Sequence, residues 1–63
     1  MKWVEINTDE WVNMDIVAEV ILPVGSRIIL FIRGDGEVLA RRECETRTEA
    51  ETRLRQIMAE EQS

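Results

Sequence analysis

Few side chains in this 63-residue chain can move protons or bind metals. It has no histidine, no tyrosine and one cysteine, against thirteen Asp and Glu and eight Lys and Arg. Carboxylates are the only groups present in number that can serve as general acids or bases. Asp9 with Glu10, or Asp15 nearby, is the available pair, but adjacent acids in a turn are solvated and lack the burial that moves a carboxyl pKa towards neutrality. Cys44 would need a neighbouring base to become a thiolate nucleophile, and packing as a small apolar residue is the commoner role of a lone cysteine. A structural zinc site draws four ligands mostly from Cys and His, which this composition does not supply. No enzyme activity, cofactor, metal or small-molecule substrate is expected.

Gly34-Asp35-Gly36 has the look of a phosphate-binding loop, yet such loops open onto a helix and the flanks here are strand-like. The alternating acids and closing Glu of a calcium loop are missing as well. The segment reads as a hairpin turn, because Asp-Gly suits the positive φ angles of tight hairpins. Arg27, Arg33, Arg41 and Arg42, with Trp3, Trp11 and Phe31 as stacking residues, are the only candidate surface for nucleic acid. The formal net charge of −5 opposes that use. One Lys stands against five acids in residues 1–22, four Arg against three acids in 23–44, and three Arg against five acids in 45–63. Only the middle of the chain is even mildly basic, and Glu37 and Glu43 are natural partners for its arginines. Nucleic acid is therefore not an expected ligand.

These residues must be positioned by short elements. Lys2 to Ile6 is β-branched and aromatic, and Asn7-Thr8-Asp9-Glu10 is a turn cluster. Asn13 and Asp15 break the alternation of the next segment, so a bend or single helical turn is expected there between extended flanks. Ala18, Val20, Leu22 and Val24 alternate with Glu19 and Ile21 over a strand at 18–24, which Pro23 ends or places at an edge. Arg27 to Arg33 is the clearest strand and the expected centre of the sheet, followed by a strand at 37–43. The helix is expected over about 49–60. Thr46 and Thr48 each have a Glu three residues on, the capping-box pattern, with Thr48 the favoured cap. Ala50, Leu54, Ile57 and Met58 form one apolar stripe, Glu49–Arg53 and Glu51–Arg55 are i,i+4 pairs, and Glu60-Glu61-Gln62-Ser63 is expected to fray. The expected fold is α+β: a small antiparallel meander of three to four strands with one C-terminal amphipathic helix on one face, in a single domain over 1–63.

A sheet has two faces and a single helix covers one. If the helix packs on Ile28, Leu30 and Ile32, then Ile29 and Phe31 are left open beside Leu39, Ile21 and either Trp3 or Trp11. An apolar patch of that kind marks an interaction surface. A homodimer or a protein partner is the expected occupant; alternatively the N-terminal third folds over this face and completes a monomeric core. The longest apolar run, Ile28 to Ile32, has five residues, far short of the roughly 20 of a membrane span. No secretory leader is evident and the cysteine is unpaired, so a cytoplasmic location is expected.

The order Asn13-x-Asp15-x-Val17, an apolar strand, a glycine turn, a further strand and a Thr-Glu-Ala helix start is similar to the small flagellar proteins of the FlbD/SwrD type over about residues 12–58. The chain departs from that pattern at Pro23-Val24-Gly25-Ser26, where a Pro-Asp-Thr element is expected. No functional residue carries over. The functional expectation is a small non-catalytic interaction or regulatory module. The alternative is an acidic phage-type inhibitor of a nucleic-acid-processing enzyme, based on the charge and on Asp9, Glu10, Asp15 and Glu19.

Overall fold

The computed structural model describes residues 2–62, with side chains through residue 59. Strand β1 (Trp3–Asn7) and strand β2 (Glu10–Asn13) form an antiparallel hairpin. A single 3-10 turn (Met14–Ile16) leads into a second sheet of β3 (Val17–Ile21), β4 (Ile28–Arg33) and β5 (Val38–Glu43), ordered β3-β4-β5 with every pair antiparallel. Helix α1 (Arg47–Gln62) closes the chain. The architecture is the expected small α+β class, with five strands divided between two sheets. Among the described residues no helix is long and apolar enough to cross a membrane.

Local chemistry accounts for each boundary. In the 3-10 turn the Asn13 side chain accepts a hydrogen bond from Asp15 N at 2.9 Å, so the residue that ends β2 also caps the turn. The bend and its extended flanks lie as expected, and the four residues before it are the strand β2 that the broken alternation hid. Ser26 N donates to Pro23 O at 3.0 Å, and Gly25 at φ 78° takes the left-handed position of that turn. Pro23 stands beyond β3, which ends at Ile21. In the β4–β5 hairpin Gly36 N donates to Arg33 O, and Gly36 alone, not Asp35, carries the positive φ.

At the helix start Glu49 N donates to Thr46 Oγ1 at 3.1 Å, which makes Thr46 the cap and begins the helix two residues before the expected position. The helix continues through Gln62 instead of fraying from Glu60, and the last residue of the expected frayed tail, Ser63, lies outside the described residues. The expected i,i+4 pairs are replaced. Arg47 holds Glu51 at 3.3 Å, while Arg53 donates to a backbone carbonyl of β1.

The core lies between the β3-β4-β5 sheet and a cover made of two pieces, the β1–β2 hairpin and α1. Its buried members are Val4, Ile6, Val12 and Met14 from the hairpin region, Ile29 and Phe31 from β4, then Cys44, Ala50 and Ile57. Val20, Leu22, Ala40 and Leu54 pack against them half-buried, and Met58 stays at the rim. Here the expectation for the patch is overturned: Ile29 and Phe31 are completely buried in the single chain. The helix and hairpin cover that face, and the face of Ile28, Leu30 and Ile32 is the one left open. The register supplies the reason. Phe31 lies between Val20 and Ala40 and Ile29 beside Arg42, whereas Leu30 lies between Ile21 and Arg41, Ile32 between Glu19 and Val38, and Ile28 beside Glu43. The side of Ile29 and Phe31 thus has one charged neighbour, whose guanidinium is used to bond the main chain of β1, against three on the other side, and it takes the cover.

Candidate functional site

The carboxylates do not assemble into a site. Asp9 and Glu10 are exposed at the first hairpin turn, where Asp9 has φ 61° and Glu10 accepts from Asn7 Nδ2 at 2.5 Å; Asp15 is exposed in the 3-10 turn. Cys44 is buried in the core. Its amide donates to Arg27 O at 3.0 Å and its carbonyl accepts from Arg27 Nη1 at 2.8 Å. Among the described residues no three of Cys, Asp and Glu converge on a point where a metal ion could sit.

The four central arginines are dispersed. Arg27 pairs with Glu43 at 3.0 Å, and at the other end of β4 Arg33 pairs with Asp35 at 2.7 Å and Glu37 at 2.6 Å. Hydrogen bonding to Arg33, reinforced by the Glu37 amide, holds the Asp35 carboxyl down at about 2. Arg41 is exposed on the outer sheet face. Arg42 turns inward, where Nη1 donates to Ile6 O at 2.6 Å and Asn7 Oδ1 at 3.3 Å, and Nε is buried with no hydrogen bond among the described residues.

Arg42 lines a cleft of about 540 Å³ between the first hairpin and α1, with Glu5, Asn7, Glu49, Thr52, Arg53 and Gln56 among its other walls. Its two guanidiniums are committed to the main chain of β1, Arg42 to Ile6 O and Arg53 to Glu5 O. Glu49, 4.0 Å from Arg42, offsets part of their charge. The cleft is thus a seam in which arginines tie the hairpin to β5 and α1.

Among the described residues, two sheet faces present apolar side chains outside the core. On the outer face of the larger sheet Ile21 and Leu30 sit side by side in register, with Ile28 and Ile32 two residues away on β4 and Val38 opposite Ile32. All are half-buried except Val38, which is 49% exposed, and none belongs to the core or to the side chains packed on it. Leu39, the extra residue of the β5 bulge, is likewise half-buried and outside that core. The second surface is the outer face of the β1–β2 hairpin. Val4, Ile6 and Val12 point inward, so alternation turns Trp3, Glu5 and Trp11 outward, with Trp3 53% and Trp11 56% exposed.

The six residues expected to form one patch therefore divide three ways. Ile29 and Phe31 are core, Ile21 and Leu39 lie with the outer half of the large sheet, and Trp3 and Trp11 share the hairpin face. The alternative, in which the N-terminal third folds over Ile29 and Phe31, is the arrangement observed, and the charges of Glu19, Arg41 and Glu43 beside Ile32, Leu30 and Ile28 are the signal in the sequence that favours it. No family model, curated protein or solved structure matches the chain.

Proposed function

We propose that the chain is a small non-catalytic protein-interaction module that works as a homodimer through the outer face of β3-β4-β5. The observation that carries this reading is the apolar strip of Ile21, Ile28, Leu30 and Ile32, which among the described residues lies outside the core and the side chains packed on it. One edge carries Glu19 on β3, and the other carries Arg41 on β5 together with Glu43, the latter already paired with Arg27. A twofold axis running along β4 between two such faces lays β3 of one copy across β5 of the other. Each Glu19 then approaches the second copy's Arg41, so the surface is self-complementary.

The size of the face sets the expected strength. Three strands at about 4.8 Å spacing and six residues at about 3.3 Å give a footprint of roughly 14 by 20 Å. Two such faces together fall short of the roughly 1,000 Å² of an ordinary specific interface, so the dimer is a weak, transient one with a dissociation constant of about 100 μM or more. Sedimentation equilibrium tests it. Wild type associates at high micromolar concentration, Leu30→Asp stays monomeric, Arg41→Glu weakens the dimer and adding Glu19→Arg restores it. A wild type that remains monomeric at millimolar concentration removes the dimer.

The second reading, an acidic inhibitor docked in the basic groove of a nucleic-acid-processing enzyme, is favoured by the exposure of Asp9, Glu10, Asp15 and Glu19. Salt separates the two: a largely apolar dimer tolerates it, and an acid-on-base complex weakens steeply.

A further inference from the structure

The β1–β2 register brings an unusual set of side chains onto one exposed face. Trp11 lies directly opposite Glu5, Trp3 lies opposite Asn13, and Trp3 and Glu5 are two residues apart on the same side of β1. The bulge of this hairpin begins only after Glu5, so it leaves that arrangement intact. Directly opposed Cβ atoms in such a pair are about 5 Å apart and diagonal ones about 7 to 8 Å, within the span of an indole. Glu5 is therefore the neighbour of both tryptophans on this face, across the strands from Trp11 and along β1 from Trp3, and each indole is more than half exposed.

Packing does not explain these indoles, because the hairpin buries its other face through Val4, Ile6 and Val12. The Glu5 carboxylate has no ion pair or hydrogen bond among the described residues, and Arg53, the nearest helix cation, donates to the Glu5 carbonyl instead. Lys2, the single cation of residues 1–22, is already engaged. What remains is an acidic stretch of chain in which two exposed indoles neighbour a carboxylate.

A cation is the group that gains from both features at once. Its charge is attracted to the electron-rich ring face and to the carboxylate. Guanidinium fits better than ammonium, because it is planar, stacks on an aromatic ring and still presents an N–H edge to a carboxylate. We infer that the outer face of the first hairpin is a docking site for an arginine-bearing basic segment of a partner protein, with an arginine held between Trp3 and Trp11 and paired to Glu5. The surface belongs to different strands from the dimer face, so the inference stands whether or not the chain dimerises.

The composition provides the assay. Trp3 and Trp11 are the only tryptophans and there is no tyrosine, so indole emission reports on this face alone. Octa-arginine titrated into the whole chain at low salt is expected to change the emission saturably in the micromolar range, and octa-lysine to bind several-fold more weakly. Glu5→Gln is expected to weaken octa-arginine about tenfold. Trp11→Leu keeps an apolar cross-strand partner but has no π face, and is expected to weaken it by a similar factor, read from the emission of Trp3. Circular dichroism of each variant confirms that the hairpin is retained. If Trp11→Leu binds octa-arginine as tightly as wild type, or if octa-lysine binds as well as octa-arginine, the attraction is general acidity and the site is overturned.

Discussion

The two sides of strand β4 have the same chemistry on paper and opposite fates in the fold. Ile29 and Phe31 are fully buried, while Ile28, Leu30 and Ile32 on the other side are half-buried and, among the described residues, outside the core. The neighbours make the difference. Ala40 and Val20 extend the apolar character of Phe31 sideways, and Arg41, Glu43 and Glu19 interrupt that of Leu30, Ile28 and Ile32. A strand does not choose its buried face by its own tally of apolar residues; the sheet chooses it by the row.

Adjacent truncations at Phe31 and Leu30 give the largest expected contrast. Phe31→Ala removes a ring from the closed core, a loss of about 3–5 kcal/mol. A chain this size holds roughly 3–9 kcal/mol in all, so the variant is expected to be largely unfolded. Leu30→Ala, one residue away, is expected to lose about 1–2 kcal/mol at dilute concentration, because its side chain is only partly buried and its removal leaves no closed cavity. Urea unfolding of both at low micromolar protein checks the pair, and equal losses would break the distinction between the two sides.

A smaller effect tests how the cover over the Phe31 side is anchored. Thr46→Ala removes the oxygen that accepts from Glu49 N and is expected to cost about 1 kcal/mol. Thr48→Ala, at an exposed position inside the first turn, is expected to be near neutral. Thermal midpoints of the two variants measure the difference.

The smallest effect concerns the turn that joins β4 to β5. The Asp35 carboxyl lies at about 2 in the folded chain against its ordinary 3.8, through its hydrogen bonds with Arg33 and the Glu37 amide. A depressed value means that the unfolded chain takes up the proton first. The stabilising contribution is thus whole above about pH 4 and is lost as pH falls towards 2. The pair is exposed and screened, so the change is modest. The gap in urea midpoint between wild type and Asp35→Asn is expected to be present at pH 5 and to close at pH 2.5.

Much of the fold was legible because alternation and turn chemistry act locally. Strands β4 and β5, the Gly25 and Gly36 turns and the helix stripe of Ala50, Leu54 and Ile57 each follow from a few neighbouring residues. Strand β2 was not, since Asn13 and Asp15 look like defects in a strand when Asn13 is in fact its end and the cap of the next turn, and Asp15 lies within that turn. The open surfaces were legible only in part. Trp3 and Trp11 were recognised as candidates, but their joining with Glu5 depends on the hairpin register, and the side of β4 left open depends on pairings between distant segments.

The arginines that reach main-chain carbonyls have a further consequence. Arg42 and Arg53 hold β1, Arg47 holds both Pro23 O and Ser26 O, and Arg27 holds Cys44 O. A guanidinium is a planar fork with five N–H donors, and Arg47 reaches two carbonyl oxygens through one of its nitrogens. The turns, the strand ends and the helix are thus sewn together through main-chain oxygens, so exchanging the side chain on the accepting residue leaves the joint in place.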